Sequence, residues 1–193
     1  MDYAGGLQDK SLEDIFIKNM QGHTVILKKH EQDLWELFSV ALQNGFEKAY
    51  RKQQQGKGKI KYISVSALLS SMISESYSLG INFYDERFYI DEVDVFTEFK
   101  IPYISDFIKE NTEQTRKLLS YHRQPYKESD VAEIQKVYVL AYIVQVVEML
   151  KSNISHILSK IQVEGVECED VVTITFGAYM EPQIEIYAWE VGK

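Results

Sequence analysis

The chain has 193 residues, 45% of them hydrophobic and 26% charged, with a formal net charge of −8. That is enough chain and apolar content for one buried core without metal or disulfide staples, and the composition is too ordinary for disorder. The negative balance excludes nucleic acid and anionic membranes as the main partners, because like charges repel, and it favours basic ones.

In chain order, residues 1–10 (MDYAGGLQDK) read as loosely ordered. Ser11 opens a helix. With Asp14 three residues on it resembles a capping box, Leu12, Ile15, Phe16 and Asn19 share one face, and Gly22 is the expected stop. A stronger helix follows, with Leu34, Leu37, Phe38, Ala41, Leu42, Phe46, Ala49 and Tyr50 recurring at three and four. Glu31 and Asp33 suit its positive end, and Lys48, Arg51 and Lys52 its negative end. Gly56 sits where a left-handed cap is wanted. The stretch KQQQGKGKIK (52–61) therefore reads as a helix end, a cap and a strand entry with solvated lysines. It lacks the glycine spacing and the hydroxyl of a phosphate-binding loop.

Ile60, Tyr62, Ile63 and Val65 read as strand. The ISVSALLSSMIS run is ambiguous between a strand turning back near Ser74-Glu75-Ser76, which is favoured, and a short helix around Ala67-Leu68-Leu69. INFYD and RFYID flank Asp85-Glu86 as a hairpin, which would set Tyr84 opposite Tyr89 and Phe83 opposite Ile90. The acids of YDERFYIDEVD then read as a polar sheet face or turn, since neighbours on a strand point to opposite sides.

Ser105 caps a helix with Phe107, Ile108, Thr115, Leu118 and Leu119 inward, ended by His122-Arg123-Gln124-Pro125. A long central helix is expected from Ser129 to Ile161, roughly 50 Å at 1.5 Å per residue. Its VYVLAYIVQVVEML segment is apolar almost all round but too short to span a membrane. VVTITFGAY and QIEIYAWEV form a C-terminal hairpin about Glu181-Pro182. Ile174, Phe176, Ile184 and Ile186 are expected on one face. Thr173, Thr175, Tyr179, Tyr187 and Trp189 fall on the other, which is too aromatic to stand in bare solvent.

These patterns predict an α+β fold: one globular domain over 1–193, with an antiparallel sheet of about five strands packed on amphipathic helices. One cysteine, Cys168, forbids an internal disulfide, and its acidic neighbours should raise its pKa and blunt it as a nucleophile. The N-terminal segment has no apolar signal core, so a cytoplasmic location is expected, and the Asn153-Ile154-Ser155 sequon carries no weight.

CxxC, HExxH and paired Glu-x-x-His patterns are missing, as are the nucleophile elbow and dinucleotide fingerprint, so no cofactor, metal or catalytic residue is assigned. The balance leans against an enzyme and toward a non-catalytic binding module, its partner a basic protein or a second copy of the chain. The alternative is a small-molecule site or an enzyme of unassigned reaction. Its pocket would lie between sheet and long helix, lined by Tyr138, Tyr142, Glu148, Tyr187 and Trp189, and would suit a small apolar or cationic ligand. Glu148 stands out there as an acid inside an apolar run.

Overall fold

The structure, a computed structural model, describes residues 10–121 and 126–191. Of the stretch 1–10 expected to be loosely ordered, Lys10 begins the first helix and residues 1–9 lie outside the described residues, as does the helix end expected at 122–125. The helices are α1 (Lys10–Lys29), α2 (Glu31–Gln53), α3 (Leu69–Ile73), α4 (Ile104–Tyr121), α5 (Glu128–Ser152) and α6 (Ile154–Leu158). The strands are β1 (Ile60–Ala67), β2 (Ser78–Tyr84), β3 (Phe96–Lys100), β4 (Cys168–Ala178) and β5 (Ile184–Glu190). The fold is α+β, with one five-stranded sheet in the order β3-β2-β1-β4-β5. The expected antiparallel pairing holds for three of its joins, but β1 and β4 run parallel. Backbone proximity divides the chain into two compact units, Met1–Glu31 with Pro102–Val146, and Gln32–Ile101 with Val147–Lys193.

The first unit is helical. Gly22 does not stop α1, which runs on to Lys29. Leu12, Asn19, His23 and Leu27 keep one buried stripe going through the glycine, and that stripe outweighs the cost of about 1 kcal/mol for a lone helical glycine. From α4 the stripe is Ile104, Ile108, Asn111 and Thr115, and from α5 it is Val131, Ile134, Tyr138, Tyr142 and Ile143. The long helix is shorter than expected. It ends at Ser152, Asn153 leaves helical geometry at φ −125° and ψ 12°, and a single turn, α6, follows.

In the second unit α2 lies across one face of the sheet. Phe38 meets Phe99 of β3 edge-on, with ring centres 5.2 Å apart. Phe46 meets Phe83 of β2 at 5.0 Å and Trp189 of β5 at 5.8 Å. Gly45 permits this closeness, because a Cβ there would stand 2.1 Å from the Phe83 ring. The helix closes on the expected glycine. Gly56, at φ 97°, gives its N–H to Gln53 O, and the Lys57 N–H reaches Lys52 O, the two bonds of a Schellman cap.

Three expectations for the sheet change. The strand from Ile60 stops at Ala67, and the short-helix reading is the one realised, as α3. No hairpin turns at Asp85-Glu86. Residues 85–95 instead form an irregular strap with one 3₁₀ turn (Phe88–Ile90), and β2 pairs with β3, Asn82 opposite Phe96. The aspartates cause this. Asp85 accepts the Arg87 N–H (2.9 Å), and Asp91 accepts those of Asp85 and Val93 (3.0 Å each), so backbone donors that a strand would need are already used. In the C-terminal hairpin, Val172 pairs with Trp189 and Ile174 with Tyr187. Tyr187 and Trp189 therefore share the helix-facing side with Ile174. A bulge opposite Ile174/Thr175 takes up the extra residue on β5 and puts the two strands' alternations out of phase.

Candidate functional site

The opposite face of the sheet is where the second unit keeps its polar chemistry. Tyr62, Ser64 and Ser66 of β1 alternate onto it. Their register partners are Tyr84, Asn82 and Gly80 on β2, and, for Ser64 and Ser66, Thr175 and Gly177 on β4. One row therefore crosses three strands: Asn82, Ser64, Thr175. Ser64 Oγ lies 3.2 Å from both Ser66 Oγ and Gln183 Oε1. Asn82 is 3% exposed and Thr175 7%, yet Asn82 Nδ2 and Thr175 Oγ1 have no hydrogen-bond partner among the described residues. Each such burial costs about 1–3 kcal/mol.

The strap 85–95 covers this face. Phe88 packs on Tyr62 and Tyr84, with ring centres 4.9 and 5.0 Å away, and Tyr89 on Tyr84 at 5.6 Å. The Tyr89 hydroxyl donates to Glu181 O at 3.2 Å, tying the strap to the β4–β5 turn. Burial pushes the Tyr89 and Tyr84 phenols up from their ordinary values, so both stay protonated at neutral pH.

A buried ion pair pins the strap. Lys57 and Asp91 are bonded to each other, with side chains 0% and 1% exposed. Lys57 Nζ also donates to Val93 O at 2.9 Å. Arg87 closes the network, 2.8 Å from Asp85 and 3.7 Å from Asp91, and its hydrogen bonds hold the Asp85 carboxyl below the usual range. Two stretches read from sequence as solvated, the lysine-rich connection and the acidic turn, are thus partners. Gln53 in the first of them is structural too. Its amide gives Nε2–H to Glu167 O (2.7 Å) and takes the Glu167 N–H (2.9 Å). Nothing local in the sequence marks Lys57 apart from Lys59 or Lys61. The spacing of Asp85 and Asp91 around a run of bulky residues was the one available hint of a loop that bonds to itself.

The residues singled out from sequence fall into separate groups. Tyr138 and Tyr142 belong to the interior of the first unit. Asn19 Nδ2 donates to the Tyr138 hydroxyl (3.1 Å), and Asn111 Nδ2 to that of Tyr142. Burial raises both phenols above their ordinary value. Beside them His23 stacks on Tyr142, 4.1 Å between ring centres, and on Phe107 at 5.1 Å. Gln145 spends its Nε2–H groups on Met20 O and Thr24 Oγ1, so its Oε1 accepts from His23 Nδ1 at 2.6 Å. Burial lowers the His23 pKa, and the imidazole is neutral. The cluster is hydrogen-bonded within itself and presents no exposed nucleophile or base. Glu148 is exposed, and Tyr187 and Trp189 are half-buried on β5 of the second unit.

Two open grooves mark the second unit. One of about 410 Å³ runs past Gln43, Phe46, Tyr50, Gln162 and Glu164. The other, about 390 Å³, lies against Lys48, Arg51, Lys52 and Asp94. The Cys168 thiol is pushed up to about 11, as expected in direction, but by burial rather than by its acidic neighbours. Among the described residues no cluster of His, Cys, Asp and Glu could hold a metal ion, and no helix is long and apolar enough to cross a membrane.

The last notable surface is the hairpin itself. β5 is an edge strand of the sheet. Ile184 on it is 70% exposed, and Val171, Tyr179 and Met180 are exposed beside it. Residues 161–191 contain seven Asp and Glu and no Lys, Arg or His, so this segment holds most of the chain's net charge of −8. Fold and site together define an α+β protein with a mixed five-stranded sheet, one strapped face and one acidic edge. No family model, no curated protein and no solved structure matches the chain.

Proposed function

We propose that the protein is a non-catalytic binding module whose acidic C-terminal hairpin takes a basic, extended segment of a partner protein along the edge of β5. The carrying observation is the coincidence of an edge strand, an exposed Ile184 and a segment without a single positive charge. An edge strand offers a row of backbone donors and acceptors to an added strand, and alternate side chains of that strand supply specificity. The carboxylates of Asp170, Glu181 and Glu185, all exposed, would steer a lysine- or arginine-bearing strand to it and would repel the same edge of a second copy. Exposed apolar side chains at Val171, Tyr179 and Ile184 supply contact area that charge alone would not.

The test is a titration with a short peptide of alternating lysine and valine, read by amide hydrogen exchange. Binding along the edge is expected to slow exchange at the outward amides of β5 and to weaken as salt is added. Glu181→Lys combined with Glu185→Lys is expected to abolish it. Protection spread evenly over the surface, or binding indifferent to the charge reversal, would sink the reading. So would a stable dimer closed through β5 in the absence of peptide.

A further inference from the structure

Independently of the edge, we propose that the row Asn82, Ser64, Thr175 beneath the 85–95 strap is a binding site for a small uncharged molecule bearing hydroxyl groups, of the polyol or monosaccharide kind. The strand register places the three side chains side by side on one face, with the outer two roughly 10 Å apart across two strand spacings. Both outer members are more than nine-tenths buried and carry an unpartnered polar atom, and among the described residues the one other buried side-chain atom without a partner is Nε1 of Trp35, a residue that is itself partly exposed. Two orphans in one row ask for one partner that accepts from the Asn82 amide and exchanges a hydrogen bond with the Thr175 hydroxyl. A hydroxyl can play either part, and a molecule that carries several can reach both. Ser64 Oγ, between them, and Gln183 add further polar atoms.

The ligand is uncharged because no unspent charge lies under the strap. Lys57, Asp85, Arg87 and Asp91 are bonded among themselves, and Glu185, next in the row, stands exposed at its rim. An ion buried there would find no counter-charge. The rings of Tyr84, Phe88 and Tyr89 bring aromatic surface to the same face, the mixture of apolar walls and few polar groups typical of small-molecule sites. The neighbouring row bounds the site. Added Cβ atoms at Gly80 and Gly177 would meet Leu68 and Phe96 at 2.9 Å and Gln183 at 2.7 Å, so that space is already filled. Entry requires the strap to lift. The strap is neither helix nor strand over most of its length, and Phe88 in it and Met180 in the turn it touches hold positive φ, 54° and 64°. Such conformations are costly for residues with side chains and accompany segments that rearrange around ligands.

The probes are D-glucose and glycerol, titrated into the full-length protein while the Asn82 side-chain amide and the Thr175 methyl are followed by NMR. Saturable movement of both is expected, with slower hydrogen exchange in 85–95. Thr175→Val, which keeps the shape and removes the hydroxyl, is expected to weaken binding about tenfold, one hydrogen bond's worth. Three results would overturn the proposal: no response to either probe, a response that Thr175→Val leaves unchanged, or a long-lived structural water only at the two atoms. Should Thr175→Val fail to fold, strap exchange in the natural chain decides, and the same rate with and without probe counts against the site.

Discussion

Lys57→Met is the sharpest test of how the strap is held. The substitution keeps the length of the side chain and removes its charge, leaving Asp91 buried without its cation. Breaking a buried pair from one side costs about 3–5 kcal/mol, because the remaining charge has lost its partner and cannot reach water. Asp91 keeps the N–H groups of Asp85 and Val93, and Arg87 stands 3.7 Å away. The loss is therefore expected near the lower bound, about 3 kcal/mol. Adding Asp91→Asn removes the stranded charge while leaving an acceptor for the backbone, so the double variant is expected to be more stable than Lys57→Met alone. Urea unfolding gives the two free energies, and amide exchange over 85–95 tells whether the strap has loosened. A loss below about 1 kcal/mol, the range of an exposed pair, with unchanged exchange in the strap, would refute the reasoning.

Other expectations follow from the same geometry. Gly45→Ala should destabilise by about 1–3 kcal/mol despite alanine's better helix propensity, because its methyl would overlap the Phe83 ring, and chemical denaturation reads this directly. The lowered pKa of His23 means that the unfolded chain takes up a proton before the folded one does. Stability should be insensitive to this group above about pH 6.5 and should fall as pH drops below it toward the folded value, and His23→Phe should flatten that part of the melting-temperature profile. Cys168 should react slowly with iodoacetamide at neutral pH, the rate climbing toward pH about 11. Fast labelling at neutral pH would contradict the burial that raises it.

Most of the fold was legible because its elements follow strong periodicities. The helix α2 with its Gly56 cap and the two strands β4 and β5 are local patterns that formed where the sequence placed them, although Leu37 and Tyr50 stand outside the buried stripe of α2 and the faces of β5 did not follow the expected alternation. The failures lie where local and distant terms compete. Asp85-Glu86 looks like a hairpin turn, but Asp85 and Asp91 bond to nearby amides and pull the chain out of extended geometry. Gly22 looks like a stop until the stripe beyond it finds partners on α4 and α5. The phase of Tyr187 and Trp189 depended on one bulge that no composition signals. The polar row was out of reach altogether, since Ser64, Asn82 and Thr175 become neighbours only through register. Lys57 was hidden for a similar reason, because its environment is set by a segment far along the chain.

The parallel join between β1 and β4 has a consequence for how the molecule is made. β1 is the middle strand, yet its two neighbours arrive at very different times during synthesis. β2 follows after one short helix, whereas β4 comes only after α4, α5 and α6, and the glutamine pairing from α2 to Glu167 closes a loop of 114 residues. Contacts so distant in sequence are slow to form and entropically costly to close. Until β4 emerges, the edge of β1 stands open on the growing chain, the kind of surface that recruits other strands. The nascent protein is therefore most vulnerable to aggregation over the long interval between β3 and β4. A translation product truncated before Cys168 would carry that open edge permanently, so its solubility depends on the segment that supplies β4.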